Sequence, residues 1–113
     1  MKHDRLEKMV KGWFVGSFSP TVHSTEACEV AVKQYFAGEK ESTHHHKVAT
    51  EVTLVLSGVV RMMGRTWRDG DIIALSPGEA TDFEAITDAV TVVVKTPSIL
   101  GDKYLGDPAV FNS

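Results

Sequence analysis

The feature that most constrains this chain is the tempo of its turns. Between Ala27 and Pro97, short runs rich in β-branched and aromatic residues are separated by Gly38, Gly58, Gly64, Asp69-Gly70, Ser76-Pro77-Gly78 and Thr87-Asp88. Glycine permits positive φ and proline pre-sets a turn φ, so each of these positions can reverse the chain tightly. The runs lie at 28–36, about 44–47, 51–57, 59–63, 65–68, 71–75, 81–86 and 89–95, with no apolar stripe of 3.6-residue period long enough for a helix. Spacing so short and even predicts an all-β barrel or sandwich.

The 113 residues suffice for one domain with a real core and are too few for two. The expected core is 28–97. It is preceded by an arm, 1–27, in which "LEKMVK" suggests a short helix near Leu6 to Val10 and "GWFVGSF" a strand-like segment ended by Pro20. A Gly-, Asp- and Pro-rich tail, 98–113, is expected to pack irregularly over the domain and to add no core strand.

Composition excludes several classes of function. Apolar residues make up 42% and charged residues 24%, and no apolar run approaches the ~20 residues that span a bilayer. The opening "MKHDRLEKMVKG" carries charges throughout and no apolar stretch of the kind a secretory signal needs, so the expected compartment is the cytoplasm. The lone Cys28 sits in an apolar alternation and reads as a small buried hydrophobe. A net charge of −3 without clustered Lys or Arg argues against nucleic acid as a partner.

The chemistry concentrates in "HHHKVATE", His44 to Glu51. On a strand, His44 and His46 share one face and His45 takes the other, where it is expected to be exposed or to support the site from behind. Glu51 lies at an odd offset from His46, so it reaches the same side only if the chain bends within "KVAT". A solvated His-x-His in a loop is the competing reading. With the bend, His44, His46 and Glu51 form a two-histidine, one-carboxylate set suited to Fe(II), Mn(II), Ni(II) or Zn(II).

The segment from Gly38 to Gly58 follows Gly-x5-His-x-His-x4-Glu-x6-Gly without a mismatch and resembles the first conserved motif of the cupin family. "GDIIALSPGEATDFEAITD", Gly70 to Asp88, is similar to the second motif more loosely, so the resemblance covers about 28–97. It implies a small single-domain, RmlC-like jelly roll, a double-stranded β-helix with its metal ligands aimed into one open end. Where metal-binding cupins usually carry a last histidine ligand, this chain has Thr81. A hydroxyl is a poor ligand for a divalent transition metal, and a β-bulge could instead turn Asp82 inward as a ligand.

Other candidates for the pocket are Thr81, Arg61, Trp67 and Phe83. Arg61, or Arg65 near it, could clamp an anionic ligand or pair with Glu51, although long cationic side chains commonly reach out to water. Trp67, Met62, Met63 and Phe83 serve equally as core. If Glu51 faces inward on "EVTLVLS", Thr53, Val55 and Ser57 share its face, and Val52, Leu54 and Leu56 point outward. Each of those aliphatics is worth about 1.5–3 kcal/mol when buried. Either the N-terminal aromatic segment or a second copy, giving a homodimer, is expected to cover them.

The functional expectation is a cupin binding a divalent transition metal and acting on a small oxygenated metabolite by Lewis-acid or O2 chemistry, with Glu51 assisting proton transfer as the catalytic group. The resemblance admits dioxygenase, isomerase and cyclase activities alike. The rival expectations are a non-catalytic binding module for a sugar or other metabolite, with or without metal, and a purely structural barrel.

Overall fold

The computed structural model describes residues 1–108. It contains ten strands: β1 Trp13–Val15, β2 Glu29–Tyr35, β3 Lys40–His45, β4 Thr50–Ser57, β5 Val59–Met62, β6 Arg65–Arg68, β7 Ile72–Leu75, β8 Thr81–Ala85, β9 Ala89–Thr96 and β10 Tyr104–Leu105. They form two five-stranded sheets, ordered β1-β2-β9-β4-β7 and β10-β3-β8-β5-β6, with antiparallel pairing throughout. This is a double-stranded β-helix.

Seven of the eight expected runs appear within a residue of their expected bounds. The exception is the run placed at about 44–47, which is β3 at Lys40–His45. Its first residues, "KEST", alternate between exposed and half-buried positions, so a polar strand was concealed by its own composition. The N-terminal helix is replaced by two single 3-10 turns, Leu6–Lys8 and Val10–Gly12, parted by the extended Met9. Left-handed φ at Lys11 and Gly12 then turns the chain into β1. Cys28, expected to be buried, is half-exposed just before β2.

The apolar core fills one half of the space between the sheets: Val55, Val60, Met62, Ile73, Leu75, Phe83, Ala85 and Ala89. In the other half the inward positions of the first sheet carry polar groups. Glu29, Lys33 and Tyr35 on β2, Thr91 and Lys95 on β9, and Glu51 and Thr53 on β4 alternate with outward valines and leucines. The strands are amphipathic with period two, but in this half their polarity is reversed.

Gly58, which closes the first motif, shows how tightly the β4–β5 turn is drawn. Its φ is +97°, and a Cβ there would meet the Asp88 carbonyl oxygen at 2.3 Å. Gly58→Ala therefore meets both a disfavoured backbone region and a backbone clash. The expected destabilisation is at least about 2 kcal/mol in denaturant unfolding; an unchanged midpoint would contradict the turn geometry.

Candidate metal centre

The bend needed to bring Glu51 inward falls at Lys47–Val48, between the last residue of β3 and the start of β4. Because β3 and β4 belong to different sheets, this bend carries the chain across the mouth of the fold. One side chain holds it. The carboxylate of Asp102, only 5% exposed, accepts hydrogen bonds from the backbone N–H groups of Lys47 (2.9 Å), Val48 (3.2 Å) and Ala49 (2.9 Å). Burial pushes this carboxyl up, but the three N–H groups outweigh burial and hold it below its ordinary value.

On either side of the bend, one ligand-type atom each from His44, His46 and Glu51 lie within 4.8 Å of one another. Both imidazoles are oriented from behind. Nδ1 of His44 donates to the Ser42 carbonyl at 3.1 Å, and Nδ1 of His46 donates to the main-chain carbonyl of Asp102. A carbonyl can only accept, so each Nδ1 carries the proton and each Nε2 presents a lone pair, the arrangement in which metal-ligating histidines are held. The Nε2 of His46 stands 2.8 Å from a Glu51 carboxylate oxygen. With a lone pair on that nitrogen the contact is repulsive, so a cation joins the two atoms: a proton, giving an imidazolium–carboxylate pair, or a metal ion bound to both.

The electrostatics suit a divalent ion. Burial pushes Glu51 up, but the contact with His46 and, more weakly, the Lys95 ammonium hold it below its usual range, so it is anionic. Burial lowers His44, with the cationic Lys103 adding to the effect, so its ring is neutral near pH 7. Neighbouring ligands on one tetrahedral ion, with ion–ligand bonds of about 2.1 Å, stand about 3.4 Å apart, so the most widely separated pair closes by about 1.4 Å at most on taking up an ion. The donor set fits Fe, Mn, Ni or Zn in the divalent state.

Beside these residues lies a small cavity of about 20 Å3, lined by Thr81, Phe83, Thr53 and Met62 among others, which is room for about one water. Thr81 is buried and pairs in register with His44, and its hydroxyl donates to the Asp82 carbonyl at 2.7 Å. Phe83 is buried against the Tyr35 ring, with centroids 4.4 Å apart.

Three expected site residues lie elsewhere. Asp82 is exposed, and its carboxylate accepts from the Met63 N–H at 3.2 Å; β8 keeps its alternation, and the irregular register falls in β3 between Glu41 and His44. Arg61 points outward because Val60 and Met62 hold the inward positions of β5, and it stands 3.8 Å from Glu84. Trp67 packs against the core, outside the cavity lining, with its indole N–H donating to the Met62 carbonyl at 3.1 Å. His45, expected to be exposed or to support the site, is buried: its Nδ1 donates to the Gly106 carbonyl at 2.8 Å and its ring stacks on Tyr104.

Sequence reasoning overlooked Asp102, Lys33, Tyr35 and Glu41. Asp102 lay in the tail read as irregular. The tail instead adds β10 to the edge of β3, and its residues 109–113 lie outside the described part. Lys33 and Tyr35 were hidden in "CEVAVKQYF", where alternation alone cannot say which face is inside.

Two five-stranded sheets enclosing one core, with a His-x-His pair and a glutamate aimed into one end, define the class: the double-stranded β-helix fold of the cupins. Among solved structures the chain is similar to an uncharacterized conserved protein with a double-stranded β-helix domain from Klebsiella pneumoniae, at 22% identity and TM-score 0.67 over 74% of each chain. It is also similar to KdgF from Halomonas sp., at 18% identity and TM-score 0.60 over 66% of this chain and 74% of that one. A third, a sugar phosphate isomerase from a cupin superfamily of Silicibacter pomeroyi, aligns at 22% identity and TM-score 0.62 over 73% of this chain and 58% of its own length. By sequence, no family model and no curated protein matches the chain. No helix among the described residues is long and apolar enough to cross a membrane.

Asp102 is a positioning residue, since it fixes both the bend and, through its main chain, the His46 ring. Asp102→Ala should weaken metal affinity roughly 10- to 100-fold in chelator competition, whereas an unchanged affinity would show that the bend holds without it.

Proposed function

We propose that this chain is a metal-binding cupin that acts on a small oxygenated metabolite at His44, His46 and Glu51. The observation that carries the reading is the pair of imidazoles fixed through Nδ1 to backbone carbonyls, with both Nε2 atoms left to meet an anionic carboxylate. A divalent ion held there supplies a Lewis acid that polarises a ligand oxygen. Glu51, anionic and mostly buried, is placed to take or hold a proton from that ligand. Thr81 and Phe83 line the cavity beside them. The sugar phosphate isomerase of like fold supports a substrate rich in oxygen donors.

One observation favours a second reading, a non-catalytic binder of a sugar or other metabolite. Thr81 occupies the register position opposite His44, and its hydroxyl is already committed to the Asp82 carbonyl, so the fold provides three protein ligands where a fourth could stand.

Metal analysis of untagged protein grown with Fe, Mn, Ni and Zn available tests the proposal. Near-stoichiometric metal is expected in the wild type and none in His44→Ala or His46→Ala, with the fold retained. Thr81→His should tighten binding, because its side chain already faces the cavity. Metal-free wild-type protein, or His44→Ala with unchanged content, would refute the metal reading.

The proposal includes a second copy of the chain. In register across the first sheet, Val30, Val94, Val52 and Ala74 form one outward row and Val32, Val92, Leu54 and Ile72 the next. β1 lies at the edge of this sheet beside β2, two strands away from β4. Ile72 is 66% exposed and Leu56 is 55% exposed. A contiguous apolar face of this kind marks an interaction surface. Sedimentation of the wild type is expected to give a dimer at micromolar concentration and of Leu54→Glu a monomer; a monomeric wild type would contradict this.

A further inference from the structure

The small cavity at the candidate metal centre shares three lining residues, Lys33, Tyr35 and Glu41, with a much larger cleft of about 490 Å3. That cleft runs along the seam between β2 and β3, with Leu6, Met9 and Gly12 of the N-terminal arm on its far side. β2 pairs with β1 and β9, and β3 with β10 and β8, so no backbone ladder seals this seam. Side chains do. Lys33 Nζ lies 3.5 Å from a Glu41 carboxylate oxygen, and the Tyr35 hydroxyl donates to the same oxygen at 3.0 Å.

The Lys33 ammonium is held loosely for so enclosed a charge. Its side chain is only 15% exposed, its contact with Glu41 is long, and it stands 5.3 Å over the Trp13 ring. Burial pushes its pKa down; Glu41 opposes that shift, and Lys103 adds to it. Lys95 lies over the same indole at 4.9 Å but is paired closely with Glu29 at 3.1 Å, which leaves Lys33 as the cation with the longer, weaker contact. A carboxylate on an incoming ligand can replace Glu41 at Lys33 with a shorter, charge-assisted bond. A neutral ligand leaves the pair closed.

We propose that Lys33, Glu41 and Tyr35 form a side-chain gate between the seam cleft and the metal cavity, and that it admits and binds small hydroxy-carboxylates. The body of the ligand stays in the seam cleft: its carboxylate takes the place of Glu41 on Lys33, and only its hydroxyl oxygen enters the water-sized cavity toward His44 and Glu51. This rests on the metal reading of His44, His46 and Glu51 and adds the charge of the substrate. It also moves the anion clamp from β5, where the sequence suggested Arg61, to β2.

The test uses the full chain loaded with Co(II), whose visible absorption reports both metal content and ligand approach, titrated with lactate and with its uncharged counterpart lactamide. Lys33→Met should hold cobalt as the wild type does but bind lactate roughly tenfold or more weakly, with lactamide affinity unchanged. Glu41→Gln, which frees Lys33 of its resident anion, should tighten lactate several-fold and keeps the test decisive if Lys33→Met fails to fold. Equal lactate affinity in wild type and Lys33→Met, equal losses for lactate and lactamide, no tightening in Glu41→Gln, or a cobalt-loaded wild type indifferent to lactate would each overturn the gate alone. A wild type that takes up no cobalt would overturn the metal reading and the gate with it.

Discussion

The candidate site depends on one buried carboxylate. Asp102 gathers three successive backbone N–H groups at the bend between β3 and β4 and offers its own carbonyl to the His46 ring. Buried N–H groups left without partners are costly, so the bend and the tail that caps it form as a unit. Without the bend, Glu51 would fall on the opposite side of the chain from His46. The tail is thus part of the site, although it contributes no ligand to it. It is anchored again at Ser98, whose hydroxyl donates to Glu29 at 2.8 Å and accepts from the Ser17 N–H at 2.9 Å, joining tail, β2 and arm.

A second constraint follows from placing charge inside a small barrel. Glu29, Lys33, Glu41, Glu51 and Lys95 all face the interior half where the His44–His46–Glu51 cluster lies, and each is matched at short range: Lys95 with Glu29 at 3.1 Å, Lys33 with Glu41, and Glu51 with His46. Unpaired, these charges would be too costly to bury. Turning them inward sends the alternate residues of β2, β4 and β9 outward, and those are mostly valine and leucine. The polar mouth and the apolar outer face are therefore two consequences of one sequence pattern, and a protein that builds the first must find cover for the second.

Much of this was legible in the sequence. The turn residues located seven strands because a glycine or Pro-Gly reversal acts locally, and His44, His46 and Glu51 were legible because strand periodicity and one bend suffice to converge them. β3 was misplaced because "KEST" is polar enough to read as loop while standing at a sheet edge. Arg61 and Trp67 were assigned to the pocket on proximity in sequence, whereas the alternation Val60-Arg61-Met62 sends the arginine to solvent. Lys33 and Asp102 were not legible for a different reason. Each acts across long sequence separations, and nothing local in "EVAVKQY" or "LGDKYLGD" tells which face or which partner it will meet.

The function proposed for the site requires a transition-metal ion shared by two imidazoles and a carboxylate. Crystals of untagged protein grown without added metal, measured above and below the absorption edges of Fe, Mn, Ni and Zn, address it directly. An anomalous peak about 2.0–2.2 Å from Nε2 of His44, Nε2 of His46 and a carboxylate oxygen of Glu51 is the predicted result. Well-ordered side chains with no anomalous signal between them, or a peak bound elsewhere on the chain, would contradict it.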